Sequence, residues 1–398
     1  MISPRTARKA KGARPVMLPA TTTLASYWPA AEDGDWQRIA PTEAGLNAAK
    51  LRDAVEYALA NDSPWPRSLY YPDGRYVGIV EWNERGPCSE VAGPVAARGG
   101  PAGLILKAGR IVAEWGDTTR ADMTFSVAKS YLAVLAGLAQ ADGLIGGVDE
   151  RVGATVAGPY FTSPHNAPIT WRHLLQQCSE WQGELWEKSD QVDHNRQIGA
   201  GADNSAKGLR RELQAPGSYY EYNDVRVNLL AFCLLKRFGR PLPEVLRDRL
   251  MDPIGASSRW EWHGYRTSWT VVEGRQVQSV SGGSHWGGGL FISARDQARF
   301  GLLVARGGAW HDRQLVPSAW VEAMLSPSPS NESYGHLWWL NRGAARYPSA
   351  PASSVFALGA GSNIIWIDPE HDLVTVLRWI NKTAVDGFLG RLLAAVGD

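Results

Sequence analysis

The stretch from Met123 to Gly143 constrains the fold of this chain most, because its pattern is that of one long helix with apolar residues on every side. Apolar residues recur at three- and four-residue steps between alanines, which predicts a helix from Ser126 to Asp142. Gly143 can adopt the left-handed conformation that ends a helix. Such a helix belongs in the core, and Lys129 within it is costly to bury unless it is paired.

Ser126 and Lys129 form a Ser-x-x-Lys pair at the start of this helix, one turn apart on the same face. A serine hydroxyl is a poor nucleophile unless a base lies within reach, and an amine one turn away can take its proton or hold it in a relay. The free N–H groups at the helix start favour a developing oxyanion. The alternative is an ordinary helix start, since the pattern often arises by chance; the burial of the helix favours a catalytic pair.

The composition excludes some classes of function. The 398 residues suffice for a large core in one or two domains. The net charge of +1 and the lack of a basic stripe give no electrostatic basis for binding nucleic acid. The cysteines, Cys88, Cys178 and Cys233, match no metal-binding spacing, and we expect them to be small buried hydrophobic residues. No metal ion and no organic cofactor is indicated.

The chain holds 18 tryptophans, many of which flank glycine-rich or polar stretches. Core packing accounts for some of them. Others suit the wall of a cleft that accepts a bulky apolar or aromatic substrate. Examples of such tryptophans are Trp181, Trp186, Trp286, Trp338 and Trp339, of which the first three are the candidates for substrate binding.

No run of about 18 apolar residues is present, so the sequence predicts no membrane span. Residues 1–40 have the pattern of a basic, disordered leader followed by a segment that wraps the domain. The short apolar run at Val16 is broken by Pro19, which makes a poor signal peptide. We expect a cytoplasmic protein, with export as the minor alternative, and the oligomeric state is not indicated.

Strand patterns lie towards both ends of the chain, and helical patterns lie between them. Two strands around a tight turn at Ala108-Gly109 precede the helix at Ser126. Further strands are expected at 354–358, 364–368 and 373–380. This order predicts an α+β fold of the α/β sandwich type, with an antiparallel sheet flanked by helices and an inserted, mainly helical domain. We place the sheet domain at 41–117 and 281–398 and the helical domain at 118–280, with the active-site cleft between them.

Tyr222 is the third candidate for chemistry, in the stretch Pro216-Gly-Ser-Tyr-Tyr-Glu-Tyr-Asn-Asp224 before a predicted helix at 225–238. A tyrosine at such a corner can point into a cleft. A lysine ammonium beside it would stabilise the phenolate and make it a usable base. The alternative is an ordinary packed tyrosine.

The run from Ser281 to Gly289 is glycine-rich and contains His285, Trp286 and Gly287. Glycines here would let the backbone approach a ligand closely. The alternative is a glycine-rich turn that enters a strand.

Together these motifs resemble the superfamily of serine β-lactamases and penicillin-binding proteins, and in particular its class C-like branch of family VIII esterases, D-peptidases and nylon-oligomer hydrolases. The resemblance covers roughly residues 40–395. Six matches occur in the right order, which makes the signal specific where any one match would be weak. They are Phe125-Ser-Val-Ala-Lys-Ser130, Asp142-Gly-Leu-Ile145, Ile169-Thr-Trp-Arg-His-Leu-Leu175, Pro216-Gly217 with Tyr222, Gly288-Gly289 with Ser293-Ala-Arg-Asp296, and Ile365-Trp-Ile-Asp-Pro369.

The resemblance implies roles for individual residues. Ser126 would be the acylated nucleophile, Lys129 its proton partner and Tyr222 the tyrosine of the family's Tyr-x-Asn motif. The backbone N–H groups of Ser126 and Ala360 would form the oxyanion hole. The third place of the tyrosine motif holds Asp224, a carboxylate where relatives carry an amide. We expect it either to pair with Lys129 or only to cap the following helix.

The family's Lys/His-Thr/Ser-Gly motif would fall on Ala357-Leu358-Gly359, which lacks both the basic residue and the hydroxyl. In β-lactamases that motif helps to bind the substrate carboxylate, so its loss disfavours β-lactam hydrolysis. The candidate substrate-binding residues are Asp224, Trp181, Trp186, His285, Trp286, Gly287 and Gly359.

The sequence therefore predicts a serine hydrolase that cleaves esters, amides or short peptides through an acyl-enzyme on Ser126. A neutral, bulky ester or a short amide is favoured as the substrate. The alternatives are a β-lactamase or D-peptidase activity, and a non-catalytic binding or sensor protein on the same fold.

Overall fold

The structure is a computed structural model that describes residues 24–31, 36–199 and 201–396, so most of the expected leader lies outside the described residues. The helices of the described part are α1 Ala48–Ala60, α2 Val77–Glu81, α3 Val127–Ala141, α4 Val152–Thr155, α5 Trp171–Leu175, α6 Asp224–Phe238, α7 Leu242–Leu246, α8 Ala294–Ala305, α9 Ser318–Met324 and α10 Val385–Val396. The strands are β1 Ala102–Lys107, β2 Arg110–Trp115, β3 Asp122–Met123, β4 Glu184–Leu185, β5 Lys188–Ser189, β6 Glu261–His263, β7 Trp269–Val272, β8 Arg275–Gln278, β9 Gly289–Ile292, β10 Ala309–Trp310, β11 Arg313–Gln314, β12 Trp339–Leu340, β13 Val355–Gly359, β14 Asn363–Asp368 and β15 Leu373–Arg378.

The main sheet has six strands in the order β12-β13-β14-β15-β1-β2. All neighbouring pairs are antiparallel. Strands from the two ends of the chain meet where β1 pairs with β15, with Ala102 opposite Arg378. The predicted α+β class with an antiparallel sheet is confirmed, while the boundaries of the two domains stay a prediction. Among the described residues, no helix is long and apolar enough to cross a membrane.

The segment before α1 runs along the edge of this sheet. The Tyr27 N–H donates to the Ala108 carbonyl at 3.1 Å, and the Ile39 N–H donates to the Ile111 carbonyl at 3.1 Å. The Trp36 indole donates to the Gly109 carbonyl at 2.9 Å. These bonds cover the turn between β1 and β2.

Helix α3 is buried on all sides, as the apolar pattern of its sequence predicts. Tyr131 stacks on Phe300 of α8, with ring centroids 3.8 Å apart. On another face, the Trp320 indole donates to the Ala133 carbonyl at 3.0 Å. A Cβ at Gly137 would lie 2.3 Å from the Trp320 ring, so only glycine allows this close approach. The helix is thereby fixed in position, and with it the two residues of the Ser-x-x-Lys pair.

Candidate active site

Ser126 is set in place by a tight turn between β3 and α3. The Thr124 N–H donates to the Leu290 carbonyl of β9 at 2.9 Å. Phe125 then takes a left-handed conformation, with φ of 50°. A non-glycine residue in that conformation costs of order 1–3 kcal/mol. The buried Phe125 ring packs on Trp65 and Trp379, with centroids 5.4 and 6.2 Å away, and this packing holds the turn.

Lys129 lies one turn further and is fully engaged as a donor. Its Nζ is 2.8 Å from Ser126 Oγ, 2.5 Å from Asp224 Oδ1 and 3.2 Å from the Gly282 carbonyl. An ammonium group has three N–H donors and no acceptor. Three acceptors therefore match three donors, and the geometry is that of a charged lysine that donates to Ser126.

Charge on both members of the Lys129–Asp224 pair agrees with their surroundings. Burial alone lowers the pKa of Lys129, but the Asp224 carboxylate and Tyr222 outweigh it, so that this pKa is raised. Burial alone raises the pKa of Asp224, but the cations Lys129 and Arg196 hold that pKa well below its usual range. The pair is a buried ion pair, which is stable only with further hydrogen bonds.

Asp224 has those further bonds and is not the cap of α6. Its Oδ2 accepts from Arg196 Nη1 at 2.7 Å and lies 2.8 Å from His285 Nδ1. The cap is Asn223, whose Oδ1 accepts from the N–H groups of Val225 and Arg226, both at 3.1 Å. The sequence left two interpretations of Asp224, a partner of Lys129 or only a cap of the following helix. The structure shows the pairing with Lys129.

Tyr222 lies against the same lysine. The Lys129 Nζ is 4.9 Å from the centroid of the Tyr222 ring, and the Arg196 guanidinium carbon is 5.2 Å from it. The ring also stacks on Trp339, with centroids 5.7 Å apart and planes 22° apart. The structure thus brings the predicted catalytic side chains of Ser126, Lys129 and Tyr222 together around one ammonium group.

The end of β13 abuts the serine from the other side. A Cβ at Gly359 would lie 2.2 Å from the Thr124 carbonyl and 3.2 Å from the Ser126 amide nitrogen. Ala360, the second expected oxyanion donor, follows at once in the chain. A Cβ at Gly283 would lie 3.1 Å from Lys129 Nζ and 3.3 Å from Ser126 Oγ. Glycine at 283 and 359 therefore keeps space around the serine.

Other predicted substrate-binding residues need correction, because they lie in the core. Trp181 is 1 % exposed, and its indole donates to the Tyr160 carbonyl; Trp286 is 0 % exposed. Gly287 makes its close approach to the backbone of Gly93, where a Cβ would lie 2.3 Å from a carbonyl oxygen. These residues support the site from behind instead of lining it, since a tryptophan beside glycines packs as well inside a core as on a cleft. Trp186 is half-buried, so its contact with a substrate stays a prediction.

His285 is also buried, and it belongs to a network of charges that sequence reasoning missed. Lys207 Nζ hydrogen-bonds Glu84 Oε1 and lies 3.2 Å from Asp193 Oδ1. Arg196 lies 3.2 Å from the same Asp193 oxygen. The partners are up to 201 positions apart (Glu84 and His285), so no local pattern reveals them.

Glu84, Asp193 and His285 place one ligand atom each within 4.8 Å of one another, a spacing that could hold a metal ion. Their chemistry does not fit one well, because the Lys207 ammonium already contacts both carboxylates. A cation of the chain itself therefore balances this cluster.

A helix that carries Ser-x-x-Lys against the end of an antiparallel sheet places the chain in the class of proteins with the β-lactamase fold. The chain belongs to the β-lactamase family, whose model matches residues 92–394.

Solved structures of other proteins share the fold at low sequence identity. EstCE1, a hydrolase with promiscuous acyltransferase activity, has a TM-score of 0.55 at 14 % identity over 88 % of this chain and 99 % of its own. A candidate 6-aminohexanoate-dimer hydrolase from Bacillus anthracis has a TM-score of 0.52 at 18 % identity over 74 % and 77 % of the two chains. A penicillin-binding protein homologue from Caulobacter crescentus has a TM-score of 0.52 at 16 % identity over 82 % and 98 %.

A relative in Escherichia coli, named as a candidate D-alanyl-D-alanine carboxypeptidase, is 24 % identical over 195 residues. The match covers 41 % of this chain and 45 % of the relative, so the chain spans about half the length of that protein.

Proposed function

We propose that this protein is a serine hydrolase that cleaves ester or amide bonds through a covalent acyl-enzyme on Ser126. The observation that carries the proposal is the 2.8 Å hydrogen bond from the Lys129 ammonium to Ser126 Oγ at the start of a buried helix. A buried cation held against a serine oxygen stabilises the negative charge that grows on that oxygen during attack.

The proton of Ser126 passes to Tyr222 in this proposal, because all three donors of Lys129 are engaged and it has no lone pair to offer. Two cations, Lys129 and Arg196, lie against the Tyr222 ring, so the tyrosine is held beside the ammonium group that contacts Ser126. Oγ attacks the carbonyl carbon, and the new oxyanion rests on the N–H groups of Ser126 and Ala360. Tyr222 then protonates the leaving alcohol or amine. It later takes a proton from the attacking water and returns that proton to Ser126 Oγ as the acid leaves.

The substrate class follows from what β13 lacks. Ala357-Leu358-Gly359 supplies neither a cation nor a hydroxyl beside Ser126, so a carboxylate next to the scissile bond has no partner from this strand. A neutral ester or a short amide carries no such carboxylate and therefore needs no partner from this strand. The fold relatives include a hydrolase with acyltransferase activity and a candidate amide hydrolase, which agrees with this class.

The test is the hydrolysis of p-nitrophenyl acetate and butyrate by Ser126→Ala, with Ser130→Ala as the matched control. Ser130 lies in the same helix, is buried, and donates to the Leu337 carbonyl at 2.9 Å, away from the lysine. We expect Ser126→Ala to lose roughly a thousandfold or more in kcat/KM and Ser130→Ala to stay within about tenfold of wild type. Activity of Ser126→Ala within about tenfold of wild type would show that Ser126 is not the nucleophile.

A further inference from the structure

His285 is held between two carboxylates behind the site. Its ring is 2 % exposed and stacks flat on Trp286, with centroids 3.9 Å apart. Nδ1 lies 2.8 Å from Asp224 Oδ2, and Nε2 lies 2.5 Å from Glu84 Oε1. Both ring nitrogens therefore face carboxylate oxygens, and one of these carboxylates is the ion-pair partner of Lys129.

The count of donors and acceptors fixes the protonation of this histidine. An ionised carboxylate only accepts hydrogen bonds, and a neutral imidazole has one donor and one acceptor nitrogen. Asp224 also accepts from Lys129 and Arg196, and Glu84 also accepts from Lys207. With both carboxylates acting as acceptors, both ring nitrogens donate, which is the hydrogen-bond pattern of an imidazolium.

We propose that His285 is a positioning residue, an imidazolium clamped by Glu84 that fixes the Asp224 carboxylate and, through it, the Lys129 ammonium against Ser126. This inference rests on the proposed function, and it makes the reaction depend on a group that touches neither the substrate nor the serine. Loss of one imidazole proton turns a ring nitrogen from donor to acceptor opposite a carboxylate, and one side of the clamp opens.

The surroundings of His285 are charged on both sides of the ring. The charged groups directly against the ring are Glu84 and Asp224, and those one contact further are Lys129, Asp193, Arg196 and Lys207. The ring therefore joins carboxylates and cations from separate segments of the chain into one buried network. Its removal would leave Asp224 with Lys129 and Arg196 alone.

Two amide substitutions separate the two sides of the ring. In His285→Asn the amide nitrogen reaches the place of Nδ1 and still donates to Asp224. In His285→Gln it reaches the place of Nε2 and serves Glu84 instead. We expect His285→Asn to keep kcat within about tenfold of wild type and His285→Gln to lose roughly a hundredfold, with KM for a small ester nearly unchanged in both. Because the two variants remove the same ring, a difference in kcat between them reports the hydrogen bond to Asp224 and not the loss of packing.

Glu84→Gln provides a second test that does not alter the ring. Its amide can donate to one ring nitrogen while the other ring nitrogen still donates to Asp224, so kcat should stay within about tenfold of wild type. Thermal unfolding of each variant shows that it is folded before its kinetics are compared.

The positioning role is overturned if folded His285→Asn and His285→Gln lose the same activity, or if folded Glu84→Gln loses as much kcat as His285→Gln. These outcomes are distinct from a failure of the proposed function, which Ser126→Ala reports by itself. Loss of turnover in Ser126→Ala with equal kcat in the two His285 variants would reject the clamp alone.

Discussion

Lys129 and Asp224 form a buried ion pair, with Nζ and Oδ1 2.5 Å apart and side chains that are 1 % and 5 % exposed. The pair joins the start of α6 to helix α3, and it keeps the ammonium charged beside Ser126. A buried pair of this kind contributes little as a pair, but removal of one partner leaves a buried charge without compensation. The substitution of either residue should therefore affect both stability and chemistry.

Asp224→Asn removes the charge and keeps the shape. Because the carboxylate is what raises the pKa of Lys129, its loss lowers that pKa, and the alkaline limb of kcat/KM should move to lower pH. Stability should fall by about 3–5 kcal/mol, since Lys129 and Arg196 lose their shared anion. Asp149→Asn is the control, because Asp149 pairs with Arg172 on the surface and its side chain is 74 % exposed. Superimposable profiles for Asp224→Asn and wild type would mean that the pair does not set the charge of the lysine.

The proposed substrate class predicts that p-nitrophenyl esters of short acids are cleaved far faster than nitrocefin or benzylpenicillin. The physical reason is the apolar Ala357-Leu358-Gly359 stretch, which offers no partner to the carboxylate of a β-lactam. Steady-state kinetics with both substrate types measures this difference in kcat/KM. A kcat/KM for nitrocefin near 10⁶ M⁻¹s⁻¹, about that of a good enzyme, would show that another group binds the carboxylate.

Gly359→Ala should lower activity through the backbone around the serine. The new Cβ would lie 2.2 Å from the Thr124 carbonyl and 3.2 Å from the Ser126 amide nitrogen, so β13 or the turn before α3 has to shift. We expect a loss of roughly a hundredfold in kcat, the size found when one oxyanion-hole donor is removed. Gly147→Ala is the matched control, since a Cβ there meets nothing within 4 Å. Equal activity of the two variants would show that the end of β13 plays no part in the site.

The buried His336 side chain should make the stability of the fold depend on pH, and this effect is separate from catalysis. Burial lowers its pKa from 6.5 to about 4. The unfolded chain thus binds a proton between these values that the folded chain does not, so stability falls as pH falls through this window. The full effect is about 3 kcal/mol. In urea unfolding at several pH values, His336→Gln should show a shallower fall than wild type, while the exposed-site control His311→Gln should not. An unchanged slope in His336→Gln would assign the dependence to other groups.

The fold could be predicted from the sequence where local patterns are strong. The apolar periodicity of residues 126–142 predicts α3, and Gly143 takes the predicted left-handed conformation just after its end. The Ser-x-x-Lys spacing needs only a helix to bring Ser126 and Lys129 together. The match to the known family supplied Tyr222, which no local rule would separate from an ordinary packed tyrosine.

The rest of the site depends on contacts between distant parts of the chain. Asp224 could be recognised as unusual at its motif position, but its partners Arg196 and His285 come from other segments, 28 and 61 positions away. The same holds for the tryptophans. Whether Trp181 or Trp286 faces a cleft or the core is decided by tertiary packing, and both proved to be core residues.

The most direct test of the account is covalent labelling of Ser126. Wild type and Ser130→Ala are treated with a fluorophosphonate probe, Ser126→Ala is treated in parallel, and intact-protein mass spectrometry is followed by peptide mapping. If Ser126 is the nucleophile, wild type and Ser130→Ala each carry one adduct per chain, located on Ser126, and Ser126→Ala carries none. An adduct on another residue, or equal labelling of Ser126→Ala, would contradict it.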